Sequence, residues 1–143
     1  TEGDSQTARK LFEEALAIDR ALVDAEPHRA DLRRNLAESL DHLGTLAETE
    51  GDSQTARKFF EEALAIDRAL VAAEPQVFYL KENLCISLGR LADIREKEGD
   101  SRTASALLRE SLQIKRELLA QTGDDPDLTD EIMDLEHRIK SLQ

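Results

Sequence analysis

Aromatic residues are almost missing from this sequence: four phenylalanines, one tyrosine and no tryptophan make up 3% of it. A core must then be built from Leu, Ala and Ile, which suits close helix packing better than sheets. Cys85 is the single cysteine, so no internal disulfide can form, and a reducing, cytoplasmic setting is the default expectation. Only three prolines and six glycines punctuate 143 residues, leaving long stretches free to be helical. No apolar run approaches the ~20 residues that a membrane span requires, so no membrane association is expected. No signal peptide is visible, and the chain opens at Thr1 without a methionine, as an excised piece would. Positive charge is scarce too: 19 basic residues against 31 acidic ones give a net charge of −12. Such a surface repels phosphate backbones, which argues against nucleic acid and favours basic, amphipathic or neutral peptides.

What is present in abundance is repetition. Gly-Asp-Ser occurs at Gly3–Ser5, Gly51–Ser53 and Gly99–Ser101, each 48 residues from the last. Residues 1–27 and 49–75 agree at 25 of 27 positions, differing only at Leu11/Phe59 and Asp24/Ala72. Residues 97–123 agree with 49–75 at 12 of 27. A fixed period of this size signals a solenoid in which each unit buries its apolar face on the next. The chain is thus expected to be one array of three units, 1–48, 49–96 and 97–143.

Each unit reads as two helices. After Gly51, the residues Ala56, Phe60, Ala63, Leu64, Leu70 and Val71 step by threes and fours. Asp52 or Ser53 can cap this helix, and Glu74-Pro75 ends it. The following stretch aligns Leu80, Leu84, Leu88 and Leu91, and Gly99 closes it. With the first kind termed B and the second A, the spacing predicts B 5–25, A 29–49, B 53–73, A 77–97, B 101–121 and A 127–142. The last helix keeps its register through Leu128, Ile132 and Ile139. It places Glu136 where Leu40 and Leu88 stand earlier, as a solvent-facing cap requires.

These residues resemble the tetratricopeptide repeat. Leu40, Leu43-Gly44 and Ala47 fill the pattern of its first helix, and Ala56 with Phe60, like Ala8 with Phe12, that of its second. In the next unit the glycine slot holds Ala92, and Leu108 replaces Phe. The family's period is about 34; here Arg20, Arg68 and Arg116 occupy its proline slot, and the helices run on as in kinesin-light-chain-like long repeats. The resemblance implies an all-α fold, a right-handed α-α superhelix of six helices in antiparallel hairpins, with A helices lining a concave groove for peptides. Some members grip a C-terminal carboxylate there with Lys, Arg and Asn. The matching positions hold Asp41 and Thr45 in one unit and Gly89 and Asp93 in the next, so no such clamp is expected.

The units disagree mainly on their A helices. Residues 28–48 and 76–96 agree at only 7 of 21 positions, five of them being Leu32/80, Leu36/84, Ser39/87, Leu40/88 and Leu43/91. The scaffold is kept while the surface varies. His28-Arg29-Ala30-Asp31 becomes Gln76-Val77-Phe78-Tyr79, and Ala37-Glu38 becomes Cys85-Ile86. Helical spacing puts Tyr79, Ile86, Arg90 and Asp93 on one stripe, with Phe78, Cys85 and Gly89 on its neighbour. The candidate partner-binding residues are therefore Tyr79, Phe78, Ile86, Arg90, Asp93, Glu38, Asp41 and Thr45, forming an apolar anchor pocket with acidic flanks. The competing reading has Val77, Phe78 and Tyr79 pack against the extended end of helix B.

Catalytic signatures are lacking. His28, His42 and His137 are scattered without metal spacing, and the cluster Ser39, Asp41, His42 on a regular helix cannot make a nucleophile elbow. The run Asp124-Asp125-Pro126-Asp127 with Asp130-Glu131 lacks the central glycine of a calcium loop. Gly-Asp-Ser reads as a turn and cap, since no Gly-Lys-Ser/Thr follows. No catalytic residue, cofactor or metal is expected. A non-catalytic binding scaffold is the leading expectation. The alternative is a structural spacer or self-assembling segment of a larger protein, joined head to tail through its first helix.

Overall fold

A computed structural model describes residues 2–143. It contains six helices, α1 (Glu2–Ala25), α2 (Ala30–Thr49), α3 (Ser53–Ala73), α4 (Phe78–Lys97), α5 (Ser101–Thr122) and α6 (Pro126–Ser141). There is no strand among the described residues. The fold is all-α, and its boundaries follow the predicted ones closely.

The local chemistry explains those boundaries. Gly51 and Gly99 have φ of +81° and +83°, a left-handed turn that only glycine adopts without strain. Through that turn Gly51 N–H donates to Glu48 O at 3.0 Å and Asp52 N–H to Ala47 O at 2.9 Å, satisfying carbonyls at the end of α2. Asp52 and Asp100 then accept the Thr55 and Thr103 backbone N–H groups at 3.1 Å and start α3 and α5. Asp125 does the same for α6 through Leu128 N–H at 3.1 Å, with Pro126 at the first helical position. One expectation needs correcting. The first Gly-Asp-Ser, read as a turn and cap, lies inside α1. The turns at Gly51 and Gly99 are held by carbonyls at the ends of α2 and α4, whereas the backbone at Gly3 is helical.

The chain divides into two compact units, one ending at Glu74 and the other running from Pro75 to Gln143. In the first, α2 packs against both α1 and α3. Leu36, Ala37, Leu40 and Ala63 form a core cluster covered by Leu16 and Val23 of α1 and by Phe59 and Ile66 of α3. Gly44 makes the close approach possible: a Cβ built there would lie 2.5 Å from the Phe60 ring. The Asp19 carboxylate accepts a short hydrogen bond from Ser39 Oγ, and Arg20 pairs with Glu62 at 2.8 Å.

In the second unit α5 packs against both α4 and α6. Leu80, Leu84, Leu88 and Leu91 of α4 are buried, as are Leu107, Leu108, Leu112 and Leu118 of α5 and Leu128, Ile132 and Ile139 of α6. Fully burying one such leucine is worth about 1.5–3 kcal/mol. Glu136, at the position of Leu40 and Leu88, is only half-buried and lies 3.5 Å from Arg116.

Candidate protein-binding groove

The second unit holds α4 and α6 on either side of α5, and a groove runs between them. At one end is a cavity of about 390 Å³. Its apolar lining comes from Phe78, Cys85 and Ile86 of α4, Leu118 of α5 and Leu128 of α6. Glu82, Asp125, Asp127 and Glu131 also line it, with Lys115 the one cation. Lys115 Nζ lies 2.8 Å from Glu131, so its charge is already matched, and of the other three lining carboxylates Asp125 also accepts the Leu128 N–H. Cys85, Lys115 and Glu131 are shared with an adjoining cavity of about 280 Å³ that continues past Gly89 to Arg138.

Each wall has a sequence cause. Phe78 opens α4 at 38% exposure and Ile86 lies two turns on at 53%, so both present apolar surface to solvent. Gly89 widens the groove, because a Cβ there would meet nothing within 4 Å. The far end is closed by Arg138 of α6, which reaches Asp93 at 2.5 Å and Glu96 at 2.9 Å on α4. Burial pulls the Arg138 pKa down, but the hydrogen bonds to Glu96 and Asp93 outweigh it and hold it above its ordinary value. On the floor, burial pushes the Cys85 thiol pKa up, and its sulfur sits 3.8 Å from Ser111 O. That thiol is poorly nucleophilic at neutral pH.

Of the residues singled out from sequence, the cavity gathers Phe78 and Ile86. Tyr79 is 47% exposed on α4 and is not part of the lining. Arg90 is half-buried, and Asp93 is engaged by Arg138. Glu38 and Thr45 are exposed and Asp41 half-buried on α2, in the other unit. Phe78 and Tyr79 keep substantial exposure, unlike Leu80 beside them at 5%. Sequence reasoning missed Glu82, Lys115, Leu118, Asp125, Asp127, Leu128 and Glu131 as lining residues. One signal was available: Lys115 stands in the 48-residue register at the place of Asp19 and Asp67.

Residues 37–70 match the family model of the tetratricopeptide repeat. The chain carries a tetratricopeptide repeat. The match spans most of α2 and nearly all of α3, and its frame accounts for the packing: Leu40, Leu43, Ala47, Ala56, Phe60 and Ala63 are each at most 1% exposed. Tetratricopeptide repeats are generally non-catalytic scaffolds for protein–protein interaction. No curated protein matches the chain. No described helix is long and apolar enough to cross a membrane.

Proposed function

We propose that this chain is a non-catalytic scaffold that holds a segment of a partner protein on its A-helix face, with the α4–α6 groove as the anchoring site. The reading rests on one observation above the others. Exposed Phe78 and Ile86 adjoin an apolar floor whose opening carries Glu82, Asp125 and Asp127 with no cation to balance them. A leucine or similar side chain fills the floor while neighbouring Lys or Arg residues meet the carboxylates. Tyr79, Arg90 and Asp93 extend the same face of α4, and Glu38, Asp41 and Thr45 are the corresponding variable surface on α2.

The same proposal takes the three 48-residue units as one array of the long-repeat kind, working in a reducing, cytoplasmic setting. Near-identity of the B helices beside divergent A helices supports it, because a shared framework carries a changing surface.

The test uses the intact chain and labelled peptides carrying a leucine between lysines. Ile86→Ser and Phe78→Ser should weaken binding about tenfold while leaving the melting temperature near wild type, since exposed positions contribute little to folding. A charge-reversed peptide, with glutamate for lysine, should not bind. Equal binding of both peptides, or wild-type affinity in both variants, would rule the groove out.

A further inference from the structure

Lys115 of α5 pairs with Glu131 of α6 in the α4–α6 groove, and with Cys85 that pair lines both of its cavities. The groove is thus two pockets separated by a polar sill. The first is largely apolar, lined by Phe78, Ile86, Leu118 and Leu128. The second joins the apolar Leu108 and Leu135 to Asp134 and Arg138, and Gly89 leaves its α4 wall without a side chain. Charge in the second pocket is not balanced. Lys115 is matched by Glu131, and the Arg138 guanidinium is shared between Asp93 and Glu96, which leaves a negative excess. Asp134 adds to it, being exposed and without a hydrogen bond or ion pair among the described residues.

The helix along the floor sets the distance between the pockets. On α5 the first pocket extends to Leu118 and the second to Leu108. Ten residues of helix rise about 15 Å, so the pocket centres lie about 7 Å apart. An extended chain advances about 6.8 Å in two residues and turns those two side chains to the same face, the residue between them pointing away. A helix sets i and i+4 about 6 Å apart, but its body, about 10 Å across, is too broad for the end where Arg138 of α6 closes onto Asp93 and Glu96 of α4. Resting on the groove reading given above, we infer that the partner segment lies extended, with an apolar residue in the first pocket and a Lys or Arg two residues away in the second, and that Asp134 is the residue that selects this cation. The methylene stem of the basic side chain lies along Leu108 and Leu135 while its head meets the Asp134 carboxylate. Recognition is then a matter of spacing as well as of charge.

The experiment takes the intact chain and fluorescent peptides of serine and glycine that carry one leucine and one arginine, in either order, at spacings from one to four residues. Anisotropy gives the affinities. A spacing of two should bind tightest, about three- to fivefold better than a peptide with leucine alone. Asp134→Asn, at an exposed position, should leave melting unchanged and remove that advantage, while the leucine-only peptide keeps its affinity. Ile86→Ser should weaken every peptide that contains leucine. An optimum at a spacing of four would mean a helical segment and would overturn the inference. So would equal affinity at all spacings, or a preference that survives Asp134→Asn; in these cases binding that still responds to Ile86→Ser leaves the groove itself standing. Binding of no leucine peptide at all would remove the groove and the inference together.

Discussion

A Cβ at Gly44 would lie 2.5 Å from the Phe60 ring, while one at Gly89 would meet nothing within 4 Å. The two glycines sit on A-type helices, yet substitution should act in opposite directions. Gly44→Ala forces the ring of Phe60, itself 1% exposed, to move, and should cost about 1–3 kcal/mol. Gly89→Ala relieves a helix interior of glycine's backbone freedom and should stabilise by up to about 1 kcal/mol. The chain supplies its own remedy for the first change. One repeat on, the same two slots hold Ala92 and Leu108, a larger slot residue facing a smaller partner, both fully buried. Gly44→Ala with Phe60→Leu should therefore lose less stability than the two single changes added together. A double-mutant cycle by urea denaturation measures that coupling, and additive losses would contradict it. The Leu-Gly and Ala-x-x-x-Phe residues were legible in the sequence because their spacing is internal to each helix. The groove was only half legible: Phe78 and Ile86 share α4, but Lys115 and Leu118 reach the same cavity from α5, Asp125 from the cap of α6 and Glu131 from α6 itself. Helical periodicity says which side of one helix is apolar, not which neighbour faces it.

The helices begin and end where a few polar atoms decide. Asp52 and Asp100 each face the threonine three residues on, and hydrogen bonds from the Thr55 and Thr103 side chains first, then from their backbone N–H groups, hold both carboxyls below the usual carboxylate range. Asp31 is lowered likewise by its hydrogen bonds to Arg29. A carboxyl whose folded pKa is depressed adds stability above its unfolded value, about 3.9, and that stability disappears as the pH falls through the folded value. The chain should thus lose stability progressively below about pH 4. Replacing both caps, Asp52→Asn and Asp100→Asn, should keep neutral-pH stability close to wild type, because asparagine caps nearly as well. The acid limb should flatten. Thermal melts between about pH 2.5 and pH 7 check this, and an unchanged acid limb would show that the caps do not carry it. The caps at Asp52 and Asp100 were visible in sequence as Gly-Asp-Ser followed by an apolar period. The first copy of that tripeptide was read as a turn but lies inside α1, whereas at Gly51 the carbonyls of Glu48 and Ala47 hold the turn.

Across the whole molecule the charge is −12, and an acidic surface of that size acts on partners before any contact forms. It slows the approach of anions and speeds that of cations, and salt weakens both effects because the Debye length shrinks from roughly 10 Å at 0.1 M to 3 Å at 1 M. At the groove, Glu82, Asp125 and Asp127 act at close range on top of this diffuse field. Exposed charge pairs are each worth about 0.2–1 kcal/mol, so three of them amount to about a tenfold change in affinity. Binding of the leucine–lysine peptide should accordingly weaken about tenfold between low and high salt, mostly through a slower association rate. The apolar anchor adds no salt dependence of its own: a peptide with leucine but no lysine should bind weakly and without salt dependence. Stopped-flow association at several ionic strengths separates the two terms. Glu82→Gln with Asp127→Asn should lower the salt slope for the lysine peptide, while Ile86→Ser should lower affinity at every salt concentration and leave that slope unchanged. A lysine peptide whose affinity ignored salt would mean that the carboxylates do not contribute to recognition, and the apolar floor alone would then have to account for it.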